Sequence, residues 1–167
     1  AGVLEVSISA GGPFGPKPLV QLPFMIDVPL PKRWAGRLAP DESKVTTPEA
    51  ASHLTLRLLN QLRRERGLAP LRRDDALDRV AALHSLDMRS RGFFGHTSPV
   101  TGDVGDRLRA ARYRANGYAE NLARASTVHE AHTGLYASLG HRKNLLDPNV
   151  THIGIGAVRT CLLYTSD

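Results

Sequence analysis

The chain of 167 residues predicts an α+β fold. Capped, apolar-striped helical segments fill residues 48 to 137, and a late run of alternating large and small residues has the period of a strand. Two extended stretches joined by a glycine-proline turn open the chain. Helices and strands thus fall in separate runs and not in the strict alternation of a parallel α/β sheet.

Residues 3 to 9, Val-Leu-Glu-Val-Ser-Ile-Ser, alternate apolar and polar with β-branched members, and residues 19 to 28 form a second extended stretch. Gly11-Gly12-Pro13-Phe14-Gly15-Pro16 between them is turn chemistry, so residues 1–30 read as a β-hairpin. Two strands alone are marginal in water, which makes this piece the expected end of an upstream β module. Residues 31–47 mix proline, charge and small residues without periodicity, as a linker does. The main domain is expected over residues 48–160, followed by an atypical tail, 161–167, that resembles read-through rather than native sequence.

Thr47-Pro48-Glu49 is a helix start: a hydroxyl N-cap, proline at the first helical position and a carboxylate near the positive end of the dipole. Leu54, Leu58 and Leu62 then recur every four residues up to Gly67, which suits a left-handed cap. Asp74 or Asp75 caps a second helix with the apolar face Leu77, Val80, Ala81, His84 and Met88, ending near Gly92. His84 lies on that stripe and reads as a hydrogen-bonded core residue behind any site. A short helix is expected over about 104 to 112, and another over 127 to 137 opening on the Ser/Thr-x-x-Glu pattern of a capping box, Thr127-Val128-His129-Glu130. The run Thr151-His152-Ile153-Gly154-Ile155-Gly156-Ala157-Val158 reads as a strand with something packed closely on its glycine face.

Composition sets the outer limits. A hydrophobic fraction of 41% and a charged fraction of 23% are ordinary for a globular protein, and no apolar run approaches the roughly 18 residues of a membrane helix. A lone cysteine, Cys161, rules out an internal disulfide and has no neighbouring base to make it a nucleophile. The net charge of +6 is concentrated: residues 57–114 hold 13 Arg against 7 acids. That excess admits an anionic-polymer binding module, but Arg outnumbers Lys 18 to 4 throughout, and a solvated helix surface is the plainer reading.

No Gly-x-Ser-x-Gly elbow, Walker loop, dinucleotide glycine pattern or Cys-x-x-Cys pair is present, which removes the common hydrolase, nucleotide and zinc-ribbon classes. His129-Glu130-Ala131-His132 is a false lead, because a zinc-protease helix needs its histidines at i and i+4 and these stand at i and i+3. There remain His96, Glu120 and His141, each at the edge of a predicted helix where polar side chains are free to converge on a cleft. Two neutral imidazoles and a carboxylate suit an open divalent-metal site, Zn2+ or another divalent cation, and equally an acid/base pair. Separate capping or loop hydrogen bonds for each residue are the bland alternative.

Motifs in a fixed order then carry a family resemblance. They are Leu59-Asn60 with Arg64 through Gly67-Leu68-Ala69-Pro70-Leu71, then Asp87-Met88, then Gly92-Phe93-Phe94-Gly95-His96-Thr97-Ser98-Pro99. Ala119-Glu120-Asn121-Leu122, Ser138-Leu139-Gly140-His141-Arg142-Lys143-Asn144-Leu145-Leu146-Asp147-Pro148 and Thr151-His152-Ile153-Gly154-Ile155-Gly156 complete the set. From about 51 to 158 the chain resembles the CAP superfamily of cysteine-rich secretory, antigen 5 and pathogenesis-related proteins, in its bacterial, disulfide-free SCP-like branch. The resemblance implies an α-β-α sandwich with a small antiparallel sheet between helices, and a cleft with two histidines and two glutamates able to hold a divalent cation.

By motif, His96 and His141 match the two histidines and Glu120 one glutamate. Aligning Leu135 with the family's aromatic anchor places Ser138 where the second glutamate stands, while Ala119 replaces a glycine and Leu139 a proline. Asn121 and Ser98 are expected to shape the loops of the cleft. The resemblance implies secretion or attachment to the cell envelope and a ligand such as a lipid, glycan or peptide, with nucleic acid not expected. It fixes no single reaction. A metal- or histidine-assisted peptidase or esterase is the alternative to a binding cleft.

Overall fold

A computed structural model describes residues 2–10, 17–26 and 41–159, the first two stretches as strand backbone. Chain contacts divide it into two units, Ala1–Arg37 and Leu38–Asp167. In the first, β1 (Gly2–Ala10) pairs antiparallel with β2 (Lys17–Ile26), from Gly2 opposite Ile26 to Ala10 opposite Lys17, with a register irregularity between Ile8 and Ser9. The alternating pattern therefore forms the expected hairpin. Its turn, residues 11–16, lies outside the described residues, as do 27–40 of the linker region and the tail with Cys161.

The second unit opens on structure where a linker is expected. A 3-10 turn, Glu42–Lys44, buries Glu42, whose carboxylate accepts from the Val128 and His129 backbone N–H groups at 2.8 and 3.1 Å. Those are orphan donors at a helix start, so a residue 86 positions upstream caps that end from outside. Beside it, Asp41 pairs with Arg57 and, at 2.9 Å, with His129.

α1 (Pro48–Glu65) starts as its sequence dictates, with Thr47 accepting from Ala50 N at 3.1 Å and proline in the first turn. Its buried stripe is Ser52, Leu54, Leu59, Leu62 and Arg63. Of the expected leucines, Leu58 is only half-buried, because α1 turns Leu59 inward instead. Asp74 caps α2 (Asp75–Arg91) through Ala76 N and Leu77 N, and Gly92 ends it at φ 68°, a conformation that favours glycine. α3 (Val104–Ala110) carries a reciprocal capping box between Asp103 and Asp106. α4 (Val128–Ala137) does not: Thr127 caps Glu130 N, but the Glu130 carboxylate reaches past Thr127 to the N–H and hydroxyl of Ser126. A further helix, α5 (Leu139–Leu145), follows directly with no side-chain cap of its own.

The sheet of this unit differs from the expected antiparallel one. It consists of β3 (Arg72–Arg73) and β4 (His152–Ile153), paired parallel through Arg72 N to Thr151 O and Asp74 N to Ile153 O. Beyond Ile153 the predicted strand leaves the ladder because side chains take its backbone groups. Asp78 accepts from Ile155 N, Ser52 donates to Ile155 O and Ser85 to Gly156 O. Gly154 and Gly156 press directly on the α2 backbone: a Cβ on either would collide with main-chain atoms of Leu77 and Asp78, or of Ala81 and Ala82. The close packing read from the glycines is real, and its partner is a helix. Leu59, Leu71 and Leu145 form the core, with Leu135, Leu146, Val150 and Ile153 packed around them.

Arg63 holds this core to its surroundings. Fully buried at 0% exposure, it donates to Ala69 O and Leu145 O at 2.8 Å, to Asp147 O at 3.1 Å and to Val150 O at 3.4 Å. One rigid guanidinium thus joins the end of α1, the end of α5 and the loop into β4.

Candidate functional site

His96 lies in the loop after α2, Glu120 in the extended segment between α3 and α4, and His141 in the first turn of α5. The structure brings the first two into contact: His96 Nδ1–H donates to Glu120 Oε1 at 2.8 Å. The other carboxylate oxygen, Oε2, accepts from Arg107, a buried residue of α3. Arg107 also donates through Nη1 to the carbonyls of His96 at 3.1 Å and Gly102 at 2.8 Å. His96 is therefore held at its ring by Glu120 and at its backbone by the same arginine that holds Glu120.

His141 is tied to the Glu120 segment through its backbone. Burial and the nearby His96 charge both lower its pKa, which keeps the ring neutral at neutral pH. Asn121, next to Glu120, donates to His141 O at 3.1 Å and accepts from Asn144 at 2.8 Å, so one loop residue ties the glutamate segment to α5. The site residues thus form a His96–Glu120 pair and an Asn121–His141 tie on adjacent residues of the 113–127 segment.

Ser98 and Ser138 take different parts. The buried Ser98 hydroxyl donates to Asp87 at 2.6 Å and accepts from Val100 N and Thr101 N, closing the turn below His96. With its lone pairs and proton consumed, it shapes the loop and is not available as a nucleophile. Asp87 is held below the usual carboxylate range mainly by that hydroxyl. Ser138, buried at the junction of α4 and α5, makes no capping bond with its side chain.

The donor set can be tested against a divalent cation. Among the described residues no three His, Cys, Asp or Glu side chains are grouped as a metal site, in contrast to the expected trio of ligands. Both Glu120 oxygens are engaged, one by His96 and one by a guanidinium cation. Of the expected donors, only the two histidines would then be left for a cation. An imidazole whose Nδ1–H rests on a carboxylate presents Nε2 as its acceptor, the usual arrangement behind a ligating histidine, and a neutral His141 would be the second donor. His129 is engaged elsewhere, by Asp41.

Arg107 was not legible as a site residue. Its position before Leu108 on the buried face of α3 marks it as inward-facing, but nothing in a single helical turn says that it meets a glutamate 13 residues on. A pocket of about 1530 Å³ is lined by Glu120 and Asn121, but by neither His96 nor His141.

Residues 56–164 match the CAP family, described as the cysteine-rich secretory protein family. The chain is 34% identical over 131 residues to the uncharacterized protein YkwD of Bacillus subtilis strain 168, covering 74% of this chain and 51% of that protein. It is 37% identical over 105 residues to the uncharacterized membrane protein YlbC of the same organism, covering 62% of this chain and 30% of that protein. The chain thus spans about half or less of the length of these relatives. Among solved structures it is similar to an extracellular protein containing an SCP domain from Bacillus anthracis strain Ames, with a TM-score of 0.65 and 33% identity over 74% of this chain and 42% of that one. An outer surface protein of Borrelia burgdorferi shares the fold, with a TM-score of 0.53 and 18% identity over 65% of this chain and 80% of that one. With more than half of its length inside the family match, the chain belongs to the cysteine-rich secretory protein (CAP) family, as a bacterial, helix-rich member with an SCP-like fold.

Proposed function

We propose that this unit is an extracellular or envelope-associated binding domain whose ligand contacts His96 and His141, with a divalent cation such as Zn2+ held between the two imidazoles. The observation that carries the reading is the His96 Nδ1–H bond to Glu120, which leaves Nε2 without a partner among the described residues on a side chain that is 54% exposed. In this reading Glu120 orients the imidazole from behind. Two protein donors leave the remaining coordination positions to the ligand, which sets affinity by the ligand's own oxygen or nitrogen atoms. The extracellular assignment follows the similarity to an extracellular SCP-domain protein, and among the described residues no helix is long and apolar enough to cross a membrane.

The hydrolase reading has less support, because Ser98 is consumed by its turn and Glu120 by two cationic or N–H partners. The anionic-polymer reading loses part of its basis too. Of the 13 arginines in 57–114, Arg57, Arg73, Arg91, Arg107 and Arg109 pair with acids and Arg63 is buried. Zinc titration by calorimetry tests the proposal: binding is expected to weaken strongly in His96→Ala and in His141→Ala with the fold retained. If both variants bind as the parent does, the site assignment is wrong.

A further inference from the structure

Two buried polar side-chain atoms of the described residues have no protein partner, Arg107 Nε and His84 Nδ1. Their residues are only 7% and 2% exposed. The other polar atoms of both are committed, and to consecutive carbonyls. His84 Nε2–H donates to Gly95 O at 3.0 Å, and Arg107 Nη1 donates to His96 O at 3.1 Å. The two side chains therefore grip the backbone on either side of the His96 α-carbon, while Arg107 Nη2 also holds Glu120.

A carbonyl only accepts, so His84 Nε2 carries its proton. Burial, with the Arg107 charge second, lowers the His84 pKa and keeps the ring neutral, which leaves Nδ1 as a bare lone pair. One orphan is thus an N–H donor and the other an acceptor, and the Arg107 charge acts on the His84 ring. Buried groups of this kind in native proteins are satisfied by ordered water, which needs two to four polar partners. Arg107 Nε–H and His84 Nδ1 themselves make up the minimum of two partners, one donor and one acceptor.

We propose that Arg107 Nε and His84 Nδ1 share one buried water, and that this His84–water–Arg107 unit positions His96 and Glu120 for the ligand. The water accepts the Nε–H and donates one O–H to Nδ1. Arg107 and His84 are then positioning residues: neither touches the ligand, and both fix where the His96 ring and the Glu120 carboxylate stand. Core packing behind α2 and cleft geometry are joined through a single solvent molecule.

The inference rests on His96 being the ligand-contacting group, but its test uses the full chain without metal or ligand. A high-resolution crystal structure is expected to show water density within hydrogen-bond reach of both nitrogens; its absence overturns the proposal. In parallel, ¹⁵N NMR of the His96 ring is expected to report one Nδ1–H tautomer in the parent. In His84→Phe, with helix content confirmed by circular dichroism, the ring is expected to lose that single tautomer. His84→Gln, whose amide both donates and accepts, is expected to retain it. A folded His84→Phe with an unchanged His96 spectrum overturns the positioning role, and if that variant does not fold, the density in the parent decides. Water present with zinc binding indifferent to His96 would sink the functional reading and leave this one standing.

Discussion

Replacing Arg63 with methionine tests the claim that one guanidinium anchors three segments. Methionine fills similar length with an apolar chain and removes all four hydrogen bonds. The contact at 3.4 Å counts for little, leaving three good bonds from a charged donor, to Ala69 O, Leu145 O and Asp147 O. At the magnitude of charged hydrogen bonds these amount to roughly 5–9 kcal/mol. The substitution also removes the cost of keeping a guanidinium at 0% exposure, a burial that already pulls the Arg63 pKa down, and that returns several kcal/mol. The net loss expected is about 3–5 kcal/mol, a large share of a typical domain's stability. Urea unfolding at 25 °C measures it from the midpoint at unchanged slope. Hydrogen exchange adds a local signature: the amides of α5, which carries His141 and whose last carbonyls Arg63 holds, should lose protection first. Arg63→Lys is expected to fall between, since an ammonium lacks the fork that spans three segments. A methionine variant within about 1 kcal/mol of the parent would show that the buried arginine is a tolerated passenger and refute the reasoning.

Three further outcomes are expected. His84, His132 and His141 all have pKa values lowered first by burial, so the unfolded chain binds their protons more readily. Stability is then full above the unfolded histidine value of about 6.5 and falls as pH drops below it, so urea midpoints that are flat from pH 7.5 to 5 would contradict the shifts. Gly154→Ala and Gly134→Ala should move stability in opposite directions. The first drives a methyl into the α2 backbone and costs roughly 1–3 kcal/mol or more; the second fills open space inside α4 and gains about 0.5–1 kcal/mol by thermal melting. Asn121→Ala should loosen α5 at His141 and weaken zinc binding roughly 10-fold or more by calorimetry, at a stability cost of about 1 kcal/mol.

Much of the fold was legible because helix ends announce themselves locally. Thr47, Asp74, Gly92 and Thr127 each do what their residue type favours. Elements without such signals were missed. α5 has no side-chain cap and carries a glycine, and β3 is two arginines with no apolar alternation, so its parallel pairing with β4 depends on a partner 80 residues away. The site divides in the same way. Motifs single out His96, Glu120, His141 and Asn121 as candidates, but the residues that hold them are hidden. The motif reading drew attention to Arg64, which is exposed, while Arg63 is buried; its place four residues after Leu59, on the apolar stripe, was the available signal. Arg107 and the bond from Glu42 to α4 are contacts between distant segments, for which a single sequence offers no periodicity to read.

The cap that Glu42 places on α4 also bears on how the domain can be cut and carried elsewhere. A protein trimmed to begin at Thr47, the first residue with a helix signal, would keep every helix yet strip two N–H groups at the start of α4 of their acceptor and His129 of its partner. Grafting onto another scaffold, or expression of the unit alone, should therefore begin no later than Asp41. The portable piece is set by one buried carboxylate and not by the first turn of α1.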